Sequence, residues 1–369
     1  MQKLLLSGAD LAQYGVWAEI ESTALLSAYL NRPERWFAHH MRYTLSVVYR
    51  IVFGQRIQRR TREMEAFVFG GAEFVASIHA SFVDFFPWVA RVFPQFMWRG
   101  GWQDMGERHR QMYQIGWKPF KKAVEGGRAP RSWTRDVLLA KDTGYTGSDE
   151  DAMYLSTSVV GAGADNPRKV LNTFVMAALQ YPHVLTAART EIDGVYRNGA
   201  DMRLPRMEDM ESMPYVCAIL KELMRWRPSV PLIPPHQLTE DLEFDGYLFT
   251  KGTIFVINAV ALSQECEHPD EFKPERWIND NVYNASQEHW SFGGGRRICV
   301  GYRVAQQLLF IALAKLIYCF DFEAVSFETL LIDNLSNSTI GWSIGRPQSE
   351  PSKIRQTISS EGQSQKRGI

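Results

Sequence analysis

The residues best suited to do chemistry stand together in Phe292-Gly293-Gly294-Gly295-Arg296-Arg297-Ile298-Cys299-Val300-Gly301. A glycine-rich loop carries two arginines and ends in one cysteine. Val304, Leu308, Ala312 and Leu316 then recur every fourth residue, so the loop delivers Cys299 to the start of an apolar helix. A helix start offers free N–H groups and partial positive charge, which favours a thiolate over a thiol. The glycines let the backbone approach a flat partner closely. Arg297, two residues before the cysteine, can face an anionic group on that partner. A phosphate loop would need a Lys-Ser/Thr pair, which is absent. A zinc site would need a second Cys or His at ligand spacing. A buried structural cysteine stays open as the alternative.

Phe292, Gly295, Arg297, Cys299 and Gly301 fill every fixed position of Phe-x-x-Gly-x-Arg-x-Cys-x-Gly. On those residues the loop resembles the haem-binding loop of the cytochrome P450 family. The resemblance implies that Cys299 is the axial thiolate ligand of the iron of haem b. A thiolate ligand pushes electron density onto iron and favours O–O bond cleavage.

The second informative stretch is 151–181, where Leu155, Val159, Val160, Val170, Leu171 and Phe174 predict a long buried helix. In its middle stands Gly161-Ala162-Gly163-Ala164-Asp165-Asn166-Pro167. Small residues in a buried helix let something large lie against its backbone. Ala162, Gly163 and Asp165 resemble the family's oxygen-activating helix motif. Asn166 stands where the family has a threonine, and Pro167 follows it. The resemblance gives Asp165 and Asn166 the handling of dioxygen and protons, although an amide cannot lend a hydroxyl. Pro167 lacks an N–H and disturbs a helix one turn back. A helix break without chemistry is the plain alternative.

Tyr215 to Arg227 predicts a helix stopped by Pro228, with Glu222 and Arg225 sharing one face. Together with Arg276 of Pro274-Glu275-Arg276-Trp277 they resemble the family's structural triad, which locks the core against the cysteine loop. Two arginines satisfy one carboxylate with forked donors. By the same resemblance His236 and Arg297 hold haem propionates, and Ala162, Gly163, Val230, Ile233 and Ile340 line a substrate pocket. A surface-loop histidine is the plain alternative for His236. Leu242–Phe244 and Thr253–Ile257 read as strands, with Asp245-Gly246 as a turn.

The chain has 369 residues, 45% of them hydrophobic, and so can bury a large core. Formal net charge is zero, so nothing points to nucleic acid. Four scattered cysteines make no disulfide framework and suit a reducing compartment. Leucine-rich patterns on either side of Pro33 predict helices over residues 1–60. Trp102 to Lys122 reads as a polar helix and Trp133 to Leu139 as a short one. Phe82, Phe85, Phe86, Trp88, Phe93, Phe96 and Trp98 crowd a connector that could touch a membrane surface or pack on the core.

The expected fold is mainly α with small β-sheets, a cytochrome P450 domain over residues 1–350 and a polar tail over 351–369. The resemblance begins inside the family fold, after the anchor, the hinge and most of one sheet. It implies a haem-thiolate monooxygenase acting on a small hydrophobic substrate, possessing electrons from NADPH through a cytochrome P450 reductase. It also implies residence on the cytosolic face of the endoplasmic reticulum membrane. Two alternatives remain: a haem enzyme of isomerase or dehydratase type that does not use dioxygen, and a non-catalytic remnant.

Overall fold

Helix α1 (Gly8–Asn31) and helix α2 (Trp36–Phe53) pack on each other across a short turn at Pro33–Arg35. The computed structural model describes residues 8–57, 86, 88–92, 96–139, 144–197 and 203–323. Tyr29, Leu25, Tyr43, Val47 and Val52 fill the contact between these two helices and are fully or nearly buried. The one carboxylate sealed there, Glu21, accepts from Arg42 at 2.8 Å and pairs with Arg56. A buried charge needs such partners, because removing either side strands the other.

Helix α3 (Phe96–Glu125) is longer than the polar stretch predicted, and Phe120 packs edge-on against Phe53 at 5.0 Å. Its Arg108, Arg110, Lys118 and Lys122 are exposed, as expected of a solvated face. The short helix expected at Trp133 to Leu139 is a wide-turned π-helix, Thr134–Leu139. Helix α4 (Asp149–Gln180) starts with a reciprocal cap. Asp151 N–H donates to Ser148 Oγ at 3.1 Å and Ser148 N–H donates back to Asp151 Oδ2 at 2.9 Å. The helix continues through Pro167, so the proline does not break it. A missing N–H removes one hydrogen bond, and the surrounding packing holds the remaining turns in line.

The described residues form two compact units, with 8–168 in the first and 169–322 in the second. The second unit holds the last turns of α4, then α5 (Pro182–Arg197), α6 (Pro214–Trp226) and α7 (Tyr302–Cys319). Leu308 to Ile317 of α7 are buried without a break. Arg189 of α5 closes the end of α7 by donating to the carbonyls of Ile317 and Phe320, at 3.1 and 2.9 Å. Those carbonyls have no partner inside the helix, so a basic side chain there satisfies both hydrogen bonding and the helix dipole.

Four short strands follow α6. They are β1 (His236–Gln237), β2 (Leu242–Phe244), β3 (Tyr247–Phe249) and β4 (Ile254–Phe255). β1 pairs antiparallel with β4, and β2 with β3 through Asp245 and Gly246, both at positive φ. That is the hairpin turn the dipeptide demands. Most of the strand residues are exposed, Phe244 and Tyr247 at 68% each. Among the described residues no helix is long and apolar enough to cross a membrane.

Candidate active site

The cysteine loop is shaped by backbone hydrogen bonds and two left-handed glycines. Cys299 N–H donates to Phe292 O at 2.8 Å and Gly293 N–H to Trp290 O at 2.9 Å. Gly293 and Gly295 have φ of 73° and 59°, angles that cost a side-chain-bearing residue dearly. A single 3-10 turn, Gly295–Arg297, then leads to Cys299, and α7 begins three residues later. Ala305 N–H donates to Gly301 O at 2.9 Å, which fixes the loop to the first turn of that helix. A side chain at Gly301 would put its Cβ 3.9 Å from the Cys299 sulfur, so the glycine leaves one side of the sulfur open.

Cys299 is exposed. Even so, the protein packed around it pushes the thiol pKa up, and the Gly301 N–H pulls it partly back. The helix start therefore does not by itself yield a thiolate, contrary to the expectation from sequence: desolvation outweighs the oriented N–H groups. A bound metal ion reverses that balance, because coordination deprotonates a thiol outright. Arg297 is exposed and makes no hydrogen bond or ion pair with the described residues. His236 is exposed and sits in strand β1 opposite Phe255 rather than in a loop. Val230 is half-buried, and Ile233 is buried with its N–H on Ile257 O at 3.0 Å. Ile340 lies outside the described residues.

Glu222 accepts five hydrogen bonds. Arg225 binds it twice, Nε to Oε2 and Nη2 to Oε1, both at 2.8 Å. Arg276 Nε reaches Oε1 at 3.2 Å, so the triad read from sequence is assembled. Two further donors were not legible: Lys273 N–H to Oε1 and Trp277 Nε1 to Oε2, each at 2.8 Å. Arg225 and Arg276 spend their remaining donors on carbonyls of Ser263, Glu267, His268, Pro269 and Glu271. The cluster thus ties α6 to the whole segment 263–277. Trp277 and Lys221 extend it toward the cysteine loop, with the Lys221 ammonium 5.0 Å from the Trp277 ring centre.

Such a loop is matched by what known proteins hold in common. The family model described as Cytochrome P450 matches residues 32–346. The chain belongs to the cytochrome P450 family. Cytochrome P450 monooxygenase virE of Hypocrea virens is 30% identical over 84% of this chain and 58% of its own length. Cytochrome P450 monooxygenase patH of Aspergillus clavatus is 31% identical over 87% and 64%. The chain therefore spans about three-fifths of the curated cytochrome P450 relatives it matches. A zebra fish cytochrome P450 solved with progesterone has a TM-score of 0.67 at 21% identity, covering 85% of this chain and 72% of that one. That likeness shows the cytochrome P450 fold.

The first unit carries the other stretch singled out from sequence. Ala162 is exposed on α4, and Gly163 is half-buried. A Cβ on Gly163 would come within 2.9 Å of Val48 Cγ1, so that glycine lets α2 approach α4 closely. Its smallness thus serves a helix contact. Asp165 is held by Arg168, which donates Nη2 at 2.6 Å and Nε at 3.2 Å to Oδ1. Asn166 turns back on its own helix and donates Nδ2 to Ala162 O at 3.3 Å. Pro167 offers no N–H to Gly163 O, the carbonyl one turn before it.

The residues fit haem. Among the described residues no cluster of three or more His, Cys, Asp or Glu could hold a metal ion. Haem iron needs only one ligand from this chain, and a thiolate is a known choice. Cys299, bordered by glycine and by an arginine without a partner among the described residues, supplies that donor.

Proposed function

We propose that this cytochrome P450 chain carries the haem-thiolate chemistry of a monooxygenase that inserts one atom of dioxygen into a hydrophobic organic substrate. The observation that carries the proposal is the exposed Cys299 at the end of a loop with two left-handed glycines, with Arg297 beside it making no hydrogen bond or ion pair among the described residues. Haem iron, when bound, supplies the dioxygen activation. Cys299 ligates it, while Arg297 and His236 neutralise its propionates. Phe292, Gly295 and Gly301 keep the loop in shape. Glu222, Arg225 and Arg276 hold the segment behind it.

Asp165 and Asn166 handle protons and order water. Arg168 keeps the Asp165 carboxylate oriented, and Asn166 Oδ1 is left as an acceptor because its Nδ2 is engaged. Val230 and Ile233 belong to the substrate side in this reading. In this reading the substrate is a hydrophobic secondary metabolite, and a cytochrome P450 reductase passes electrons from NADPH. Exposed Phe86 and Trp88 support contact of this region with a membrane surface. In this reading that surface is the cytosolic face of the endoplasmic reticulum.

One observation favours a second reading. Asn166 offers no hydroxyl, and one of its two amide N–H donors is turned back on the helix. Isomerase or dehydratase chemistry on the same haem needs no such hydroxyl. NADPH and dioxygen consumed in step with product decide for the monooxygenase; turnover without them decides for the second reading.

The test of the haem reading is the visible spectrum of the purified chain, reduced and treated with carbon monoxide. The long-wavelength Soret band of a thiolate-ligated complex is expected, and Cys299→Ser should abolish it. Haem bound with the same band in both proteins would refute Cys299 as ligand.

A further inference from the structure

His289 stands between the Glu222 cluster and the cysteine loop, and nothing in the loop motif requires it. Its Nδ1 accepts the Ser291 N–H at 3.2 Å. Ser291 in turn donates its hydroxyl to Met224 O at 3.4 Å, at the end of α6. The His289 ring meets Trp277 edge-on at 5.8 Å on one side and Phe292 at 6.1 Å on the other. Trp277 is the residue that donates to Glu222, and Phe292 is the residue whose carbonyl receives the Cys299 N–H. One imidazole thus connects the buried carboxylate to the loop that carries the sulfur.

The backbone just before it is strained in a way that aims the ring. Glu288 has φ of 68°, a left-handed conformation that L side chains rarely adopt. Its carboxylate is held there by Lys221 Nζ at 3.1 Å, by Asn279 Nδ2 at 3.1 and 3.3 Å and by Asn281 Nδ2 at 3.1 Å. Strain kept in place by four hydrogen bonds marks a geometry the surroundings insist on. Because Nδ1 is an acceptor, the proton sits on Nε2, which is buried without a well-formed partner. Beside the ring lies a cavity of about 220 Å³, lined by Arg225, Cys266, Ser263 and Glu288 among others.

We infer that His289 is a positioning residue for the thiolate loop: its Nδ1 holds the Ser291 backbone, and its ring braces Phe292 against Trp277. This rests on the haem-thiolate reading for its consequence in catalysis, but the bracing itself belongs to the polypeptide. His289→Phe keeps a ring and removes the acceptor. His289→Asn keeps an acceptor near the Nδ1 position and removes the ring.

Amide hydrogen exchange of the full chain tests it. In His289→Phe, amides of 291–301 should exchange about tenfold faster, the loss of one hydrogen bond's worth of protection. Those of α6 and α7 should be unchanged. His289→Asn should restore protection of the loop to within about threefold. With haem bound, His289→Phe should also convert part of the long-wavelength carbonyl band to the shorter-wavelength form. Unchanged exchange at 291–301, or acceleration spread evenly over α6 and α7, would overturn the assignment. A parent chain without the thiolate band would count against the haem reading and leave the exchange result standing.

Discussion

Glu222→Gln is the sharpest perturbation the structure offers. The carboxylate is fully buried and accepts five hydrogen bonds. Replacing one oxygen by an amide nitrogen turns either two or three of these into contacts between donors. The cheaper choice sacrifices the Oε2 side, with Arg225 Nε and Trp277 Nε1. Hydrogen bonds to charged groups are worth about 1.5–3 kcal/mol each, and stranding a buried partner of an ion pair costs about 3–5 kcal/mol. These overlap, so about 4 kcal/mol is expected from a total stability of roughly 5–15 kcal/mol. Arg276→Gln is the control. Its side chain is 14% exposed and its contact with Glu222 is a single 3.2 Å bond, so about 1 kcal/mol is expected. Urea unfolding followed by tryptophan fluorescence measures both, with the slope held common. If Glu222→Gln costs less than about 1 kcal/mol, or no more than Arg276→Gln, the carboxylate is not the keystone described here.

His289 has a pKa pushed down to about 4, first by burial and then by Lys221, against the opposing pull of the Ala285 carbonyl and Glu288. Its neutral form is the one that folds, so stability is full above the unfolded value near 6.5 and falls as pH drops toward 4. Between pH 7 and pH 5 the chain should lose about 2 kcal/mol, a loss that His289→Asn should lack in chemical denaturation at the two pH values. Lys221, Glu288 and, through Trp277, Glu222 face this ring, and none is replaced in that comparison. Gly163→Ala should destabilise by about 1 kcal/mol as the new methyl meets Val48, and a double-mutant cycle with Val48→Ala should show coupling of at least about 0.5 kcal/mol. Additive effects would mean that the two helices are not in contact there. Haem should block alkylation of Cys299 while Cys266, half-buried and in the same unit, is labelled as before. Equal labelling with and without haem would refute the ligation.

The cysteine loop, α4, α6 and α7 were legible because each rests on local signals: fixed glycine spacing, small residues and apolar periodicity. Glu222 and Arg225 were legible as a pair because they lie one turn apart, and Arg276 joined them only through the resemblance to the cytochrome P450 family. Lys273 and Trp277 were not, because a backbone N–H and an indole join the cluster only once the chain folds back over about fifty residues. His289 was missed because its placement depends on a left-handed Glu288, and glutamate gives no sequence warning of that conformation. His236 was read in a loop and forms a strand, since a two-residue pairing leaves too short a pattern to see. At Pro167 the long helix expected from the apolar pattern holds, and a helix breaker by type is carried by its neighbours. The Cys299 thiol shows the limit of local electrostatics: a helix start attracts negative charge, yet desolvation decides the proton.

The two ribbons between α6 and the short helix Ala259–Ser263 have a consequence for handling the protein. A two-stranded ribbon is marginal alone, and an open strand edge is a template for another strand. Leu242, Phe244, Tyr247, Leu248 and Ile254 are all exposed on these strands. Copies of the chain will therefore find one another at this place first. Refolding yield should fall with concentration, and the stretch 236–256 is where a limiting protease, a holdase or a mild detergent will act.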